Sequence, residues 1–377
     1  MKILFFSPYF HPYTSGITTY PYKIFTYLAR KHEITVLTFK HDPTLPDSEE
    51  INGFKVIRMP YLFMVSKGFI SPQSLSFFWK HAKSADKVII NIPNFEGFPL
   101  AIMAKLMNKK IFSLFHCNVV FETGLIAKFI GLVLNASMAL QLALTDTIIG
   151  YTEDYVSHSW VGKTFKKKFK LTLPPIEPFI ADAAKLAEFK QEKGQDIWIG
   201  YAGRISQEKG IEYLVGAVHL LEFKHTVKLV FAGPYGADVA GEHAYYDKIV
   251  SLLQKHNIPY TFLGTLHARE LTAFYKAVDV LVLPSVNSTE AFGMVQAEAM
   301  LAGTPVITTD LPGVRMPVKL TGMGQIVPKR DIQSLTAAIT DVLDNKSKYV
   351  NEKTKTAATE IFDIDKTYQF YDTLLKP

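Results

Sequence analysis

Short, almost uninterrupted apolar runs recur along the chain, separated by longer stretches in which apolar residues return every three or four positions. In the first half the runs are 2–7, Ile34–Phe39, Phe54–Met59, Lys87–Ile92, Lys110–Phe115 and Asp146–Tyr151. In the second half they are Ile197–Ala202, Lys228–Ala232, Tyr260–Leu263, Val278–Leu283 and Pro305–Thr308. Runs without polar alternation predict strands buried on both faces, the habit of parallel sheets. The stretches between them predict helices, among them Thr18–Arg30, Leu125–Leu144 and Gly293–Ala302, the last stopped by Gly303. Strands alternating with helices give an α/β class with doubly wound sheets. Pro174-Pro175-Ile176-Glu177-Pro178 breaks regular structure midway. It predicts two domains, residues 1–173 and 191–360, joined by a linker over 174–190.

Chemistry concentrates in Ser285–Val306, S-V-N-S-T-E-A-F-G-M-V-Q-A-E-A-M-L-A-G-T-P-V. Asn287, Ser288 and Thr289 are helix-starting types. Glu290 is expected in the loop and Glu298 on the helix, so both can face a ligand lying across the helix entry. Free amides of Gly293, Met294 and Val295 there suit a phosphate. A carboxylate accepts hydroxyl hydrogens from a ribose diol or a sugar. A second stretch, Ile197 to Gly210, reads strand, cationic loop, helix start. Arg204 offers a planar fork and Lys209 a mobile charge, and Gly203 and Gly210 allow close approach by a diphosphate.

G-R-x-x-x-x-K-G followed about eighty residues later by E-x-F-G-x-x-x-x-E resembles the retaining glycosyltransferases of family four, a likeness covering nearly the whole chain. It implies the GT-B fold, two Rossmann-like domains facing a central cleft, and a nucleotide-diphosphate sugar donor, UDP- or GDP-linked. By the same resemblance Glu298 holds the ribose, Arg204 and Lys209 the diphosphate, and Glu290 with the backbone at Phe292 and Gly293 the donor sugar. Gly233, Thr265 and Leu266 line the nucleotide pocket, the loop at Gly16 approaches the phosphates, and His116 stands near the sugar. A terminal helix over about 361–377 crosses back to the first domain. Attack from the face the leaving phosphate departs is expected, without metal or other cofactor. The only D-x-D, Asp363-Ile364-Asp365, lies away from the motif loops. Two departures stand out: a single glycine at Ser15-Gly16, and no Pro-Asn-Gly turn at the hinge.

Charge then bears on the acceptor. The chain is 48% hydrophobic and 20% charged, with net charge +6 and one cysteine, Cys117, so a disulfide framework is ruled out. Residues 1–173 hold 20 Lys/Arg against 11 Asp/Glu, the remainder 21 against 24. The basic half predicts an anionic surface, and without a nucleic-acid motif that surface is expected to be membrane lipid. Three features fit: the aromatic segment Tyr61–Trp79, the apolar stretch Leu125–Leu144 and the basic run Lys163–Lys170. Leu125–Leu144 is expected to pack on the sheet, with partial membrane contact as the second reading. No signal peptide is visible, so a cytoplasmic protein, peripheral on the inner face of the membrane, is expected. The acceptor would be a lipid-linked or cell-envelope glycan. Alternatives are a soluble enzyme acting on a small sugar or sugar phosphate, and a non-catalytic nucleotide-sugar binder.

Overall fold

The apolar runs form strands that pair side by side. In the first half they are β1 (Lys2–Phe6), β2 (Glu33–Phe39), β3 (Ser48–Ile51), β4 (Phe54–Met59), β5 (Phe63–Val65), β6 (Gly68–Ile70), β7 (Lys87–Ile92), β8 (Lys110–Phe115), β9 (Thr147–Gly150) and β10 (Phe169–Leu171). In the second half they are β11 (Ile197–Ala202), β12 (Val227–Ala232), β13 (Tyr260–Phe262), β14 (Val280–Leu283), β15 (Val306–Thr309) and β16 (Gly324–Val327). The structure is a computed structural model. It describes residues 1–65, 68–119, 124–222, 226–239 and 241–376, with only the backbone of Ile126 and Ala127. Ser66 and Lys67, inside the aromatic segment, lie outside the described residues.

The chain divides into two units, residues 1–175 with the segment from Ile364 onward, and Ile176–Asp363. The first holds a sheet ordered β10-β9-β8-β7-β1-β2-β4-β3, parallel except for β3, and the separate hairpin β5-β6. The second holds β13-β12-β11-β14-β15-β16, all parallel. Central strands are fully buried: every residue of β7, β9, β14 and β15 is covered. That matches apolar runs lacking polar alternation. The edge strands β3, β10 and β16 escape the sequence pattern because they are short and partly exposed.

Three sequence expectations change. Residues 183–190 of the expected linker are helical, within Ala183–Lys193, whose first turn is capped by Asp182 accepting from the Lys185 amide at 2.9 Å. Ala, Leu, Glu and Lys here are strong helix formers, and the proline run hid them. The terminal helix begins at Ile364, not 361, because Ile361 closes the preceding helix Glu352–Ile361. It packs in the first unit. The Tyr371 and Tyr20 hydroxyls are 3.0 Å apart, and Tyr368 stacks on Tyr27 at 4.0 Å. Buried Lys87 donates to the carbonyls of Leu375 at 2.9 Å and Lys376 at 2.6 Å. The third change concerns Lys168. It is not a free member of the basic run: its Nζ donates to the carbonyls of Leu142, Ala143 and Thr145 at 3.0, 2.7 and 2.8 Å. It thereby satisfies the end of helix Leu125–Leu144. The aromatic segment is mixed: Phe69 and Phe78 are core, while Phe63 and Trp79 are exposed.

Glu96, before helix Gly97–Leu106, accepts from the Ser71 amide at 2.8 Å. Burial pushes its carboxyl up to about 7, against the opposing bonds from Ser74 and Ser71. Folded Glu96 therefore keeps a proton that the unfolded chain has released. Stability should fall as pH rises from the ordinary carboxylate range through about 7. Glu96→Gln is expected to remove that slope. In thermal melts it should match wild type in mild acid and exceed it in mild alkali; parallel pH profiles would refute the assignment.

Candidate functional site

Strand order in the second unit reverses direction between β11 and β14, and the loops leaving their carboxyl ends diverge there to leave room for a ligand. These two loops are the two sequence motifs. The first, Gly203–Gly210, is fixed by backbone bonds. The Gly203 amide donates to Ala232 O at 2.8 Å, Ile205 to Pro234 O at 3.1 Å, and the neighbouring Gly233 to Gly264 O at 2.8 Å. The loops after β11, β12 and β13 thus stand in a row. Tyr201, buried under the loop, donates its hydroxyl to Arg204 O at 2.7 Å. The Val286 amide donates to Glu208 O at 3.0 Å, joining the first motif to the second. Gly210 is left-handed, φ 63°, and a Cβ there would lie 2.5 Å from Pro284 O, so only glycine permits the loops to meet.

The helix of the second motif lies within one residue of the expected Gly293–Ala302, but the helix-starting types ahead of it do not cap it. Asn287 instead closes a turn, its Oδ1 accepting from the Thr289 amide at 3.1 Å, and the helix runs Met294–Leu301 behind Gly293. No side chain caps this helix, so the entry amides of Met294 and Val295 are available to an anion. Glu290 sits in the loop and Glu298 on the helix. Phe292 is buried against Phe362, so any contact it makes to a ligand is through its backbone.

The charged groups are paired. Lys209 Nζ bonds Glu290 Oε2, each side chain about 16% exposed. Arg204 meets Glu208 at 3.1 Å. Burial works against ionising Glu208, yet Arg204 and its hydrogen bonds outweigh it and hold its carboxyl below the usual range. Glu298 accepts from the buried Tyr275 hydroxyl at 2.9 Å. Burial first, and then Glu298, pushes Tyr275 well up, so it remains a donor. Thr265 is exposed and Leu266 half-buried in the loop after β13. The second unit therefore brings Gly203, Arg204, Lys209, Gly233, Thr265 and Leu266 to the same sheet edge as Glu290, Phe292, Gly293, Met294, Val295 and Glu298.

Gly16 and His116 belong to the first unit. Gly16 opens helix Gly16–Leu28, exposed, after the loop leaving β1. His116 follows β8 and is 3% exposed. Its Nε2 donates to Asn91 Oδ1 at 2.5 Å and its Nδ1 accepts from the Tyr151 hydroxyl. Burial lowers its pKa to about 3, so it is a neutral imidazole near pH 7. Asn91 Nδ2 in turn donates to Ser7 Oγ at 2.9 Å and Ile17 O at 3.1 Å, tying His116 to the start of the Gly16 helix. Glu208, Tyr275, Asn91 and Tyr151 were missed in the sequence. Glu208 had a signal, four residues after Arg204 within one motif; the other three are distant in the chain and had none.

Residues 182–359 match the model of the family described as glycosyl transferases group 1. An uncharacterized glycosyltransferase of Methanocaldococcus jannaschii is 35% identical over 147 residues, 38% of this chain and 35% of that protein. The chain thus spans about a third of the length of that relative. Sucrose-phosphate synthase from Thermosynechococcus elongatus superposes with a TM-score of 0.77 at 22% identity, covering 99% of this chain and 98% of that one. Anabaena HepE in complex with UDP-glucose gives 0.77 at 17%, covering 100% and 99%. The whole chain has the GT-B fold, and most of its second unit, residues 182–359, is similar to the glycosyl transferases group 1.

Proposed function

We propose that the protein transfers a sugar from a UDP- or GDP-linked donor to a lipid-linked or cell-envelope glycan acceptor, with retention and without a metal. One observation carries this reading. The two motif loops meet at the switch point, with Lys209 bonded to Glu290 beside the uncapped helix at Gly293. A diphosphate at that entry would meet the Met294 and Val295 amides, the helix dipole and the two cations. As the glycosidic bond breaks, the electron pair goes to the diphosphate oxygen, and Arg204 and Lys209 stabilise the charge that gathers there. Glu298, held by Tyr275, takes the ribose diol. Glu290, released from Lys209 as the cation turns to phosphate, orients the sugar. His116, neutral, acts as a hydrogen-bonding group and not as an acid. The UDP-glucose complex of HepE supports a nucleotide-sugar in this fold. Among the described residues no group of three or more His, Cys, Asp or Glu is placed to hold a metal. The cation pair takes over the charge-neutralising role in this reading, at the inner face of the membrane on the cytoplasmic side.

Donor screening by nucleotide release tests the proposal. Release of UDP or GDP from one sugar nucleotide is expected, unchanged in EDTA. Activity lost in chelator and restored by manganese or magnesium would overturn the metal-free reading. Tight nucleotide binding without turnover on any acceptor extract would favour a binding protein.

A further inference from the structure

Helix Leu125–Leu144 is apolar on both sides, yet only one side is covered. Leu134, Met138, Gln141 and Leu142 are buried. Around the axis from them Leu125, Phe129 and Leu132 are 85%, 65% and 66% exposed, and Val133 and Leu140 are exposed as well. These five positions recur at helical spacing and form one stripe, about 22 Å long from Leu125 to Leu140. The stripe has apolar neighbours. Helix Gly97–Leu106 packs beside it and exposes Ile102 and Leu106. The hairpin β5-β6 reaches it through Phe95, whose ring lies against Gly68 and whose carbonyl accepts from Ser137 at 2.9 Å. Its outer strand leaves Phe63 and Met64 in solvent, with Leu62 just before it. Scattered exposed leucines need no explanation, but a row this long and contiguous does.

Charge selects the occupant. Lys128 lies on the exposed side of the same helix. At the other end Lys168 binds the helix's last carbonyls and so anchors the basic run to it. That leaves Lys163, Lys166, Lys167 and Lys170 exposed in the segment that Lys168 ties to the helix end, with Lys166 3.9 Å from Glu153. An apolar row with lysines at both ends complements a surface that is apolar within and anionic at its rim. A protein partner would need no such excess of one sign. Among the described residues no helix is long and apolar enough to cross a membrane. We infer that this face docks on anionic lipid, the stripe lying in the interface plane and the lysines meeting the headgroups.

Flotation with phosphatidylcholine vesicles, with and without phosphatidylglycerol, tests the inference, with circular dichroism to confirm folding. Wild type should bind the anionic vesicles and be released by salt. Changing Lys163, Lys166, Lys167 and Lys170 together to Gln should weaken binding by about tenfold or more. Lys168 is left intact because its loss would free the helix end. Phe129→Ser with Leu132→Ser, both already exposed and so compatible with folding, should weaken binding to a similar degree. Equal indifference to both vesicle types would overturn the inference, as would unchanged binding by either variant. So would a concentration-dependent dimer that the double serine variant abolishes while lipid is ignored, because the stripe would then be covered by a second copy. The readout is lipid binding alone. A protein that docks but releases no nucleotide leaves this inference standing and removes only the proposed activity.

Discussion

Lys209→Ala is expected to lower turnover by roughly 30-fold to 1,000-fold, the equivalent of about 2–4 kcal/mol of transition-state stabilisation lost with one preorganised charge. Lys209 bonds Glu290, and both side chains are largely shielded from water. The cation is therefore already in place and must only turn from carboxylate to phosphate. Because the charge on the diphosphate grows as the bond breaks, the loss should fall mainly on kcat, with KM for the donor changing less. Removing Arg204 is a less clean experiment. It strips Glu208 of the partner that keeps its partly buried carboxyl ionised, so Arg204→Ala should cost stability as well as rate. Paired Arg204→Ala and Glu208→Gln changes separate the two effects. Steady-state nucleotide release with a thermal melt of each variant checks this. A Lys209→Ala enzyme within a few-fold of wild type would remove the cation from the mechanism.

Gly233→Ala is expected to destabilise the second unit by about 2–4 kcal/mol and to abolish donor binding in whatever fraction stays folded. Gly233 has φ 136°, where a side chain is strained. A Cβ there would overlap the Gly203 carbonyl, a backbone group with no freedom to swing aside. The Gly203 amide is itself tied to Ala232 O, so relief of the clash must shift the whole loop carrying Arg204 and Lys209. Calorimetric unfolding alongside UDP and GDP titration distinguishes this from general instability. Gly241→Ala, in an equally left-handed residue with open space around it, should lose some stability and still bind nucleotide. Wild-type affinity in Gly233→Ala would show that the row of loops is not what positions the cations.

Much of the site was written locally. A cation loop after one buried strand and an acid loop after another are both short-range patterns, because a strand buried on both faces must be apolar throughout and the ligand-facing loop must follow its carboxyl end. Glu290 in a loop and Glu298 on a helix follow from Gly293 and the helix formers after it. The pairings were not legible. Lys209 finds Glu290, and Glu298 finds Tyr275, across stretches that carry no periodic signal. Glu208, four residues after Arg204 in the same motif, differs from these in carrying a local signal.

The chain's own pattern determined the α/β class, the two-domain division, the central strands and the two motifs, since each depends on whether a residue is buried and not on which residue buries it. Tertiary structure decided the rest. Edge strands such as β3 and β16 exist only because a neighbour supplies the hydrogen bonds, and their half-exposed residues have no need to be apolar. Leu125–Leu144 is apolar all round in sequence, and only packing separates the face that meets the sheet from the face left in solvent. Lys168 reads as one more surface lysine until the end of that helix, with carbonyls in need of donors, arrives beside it. Burial is encoded residue by residue, whereas a partner is chosen by the fold.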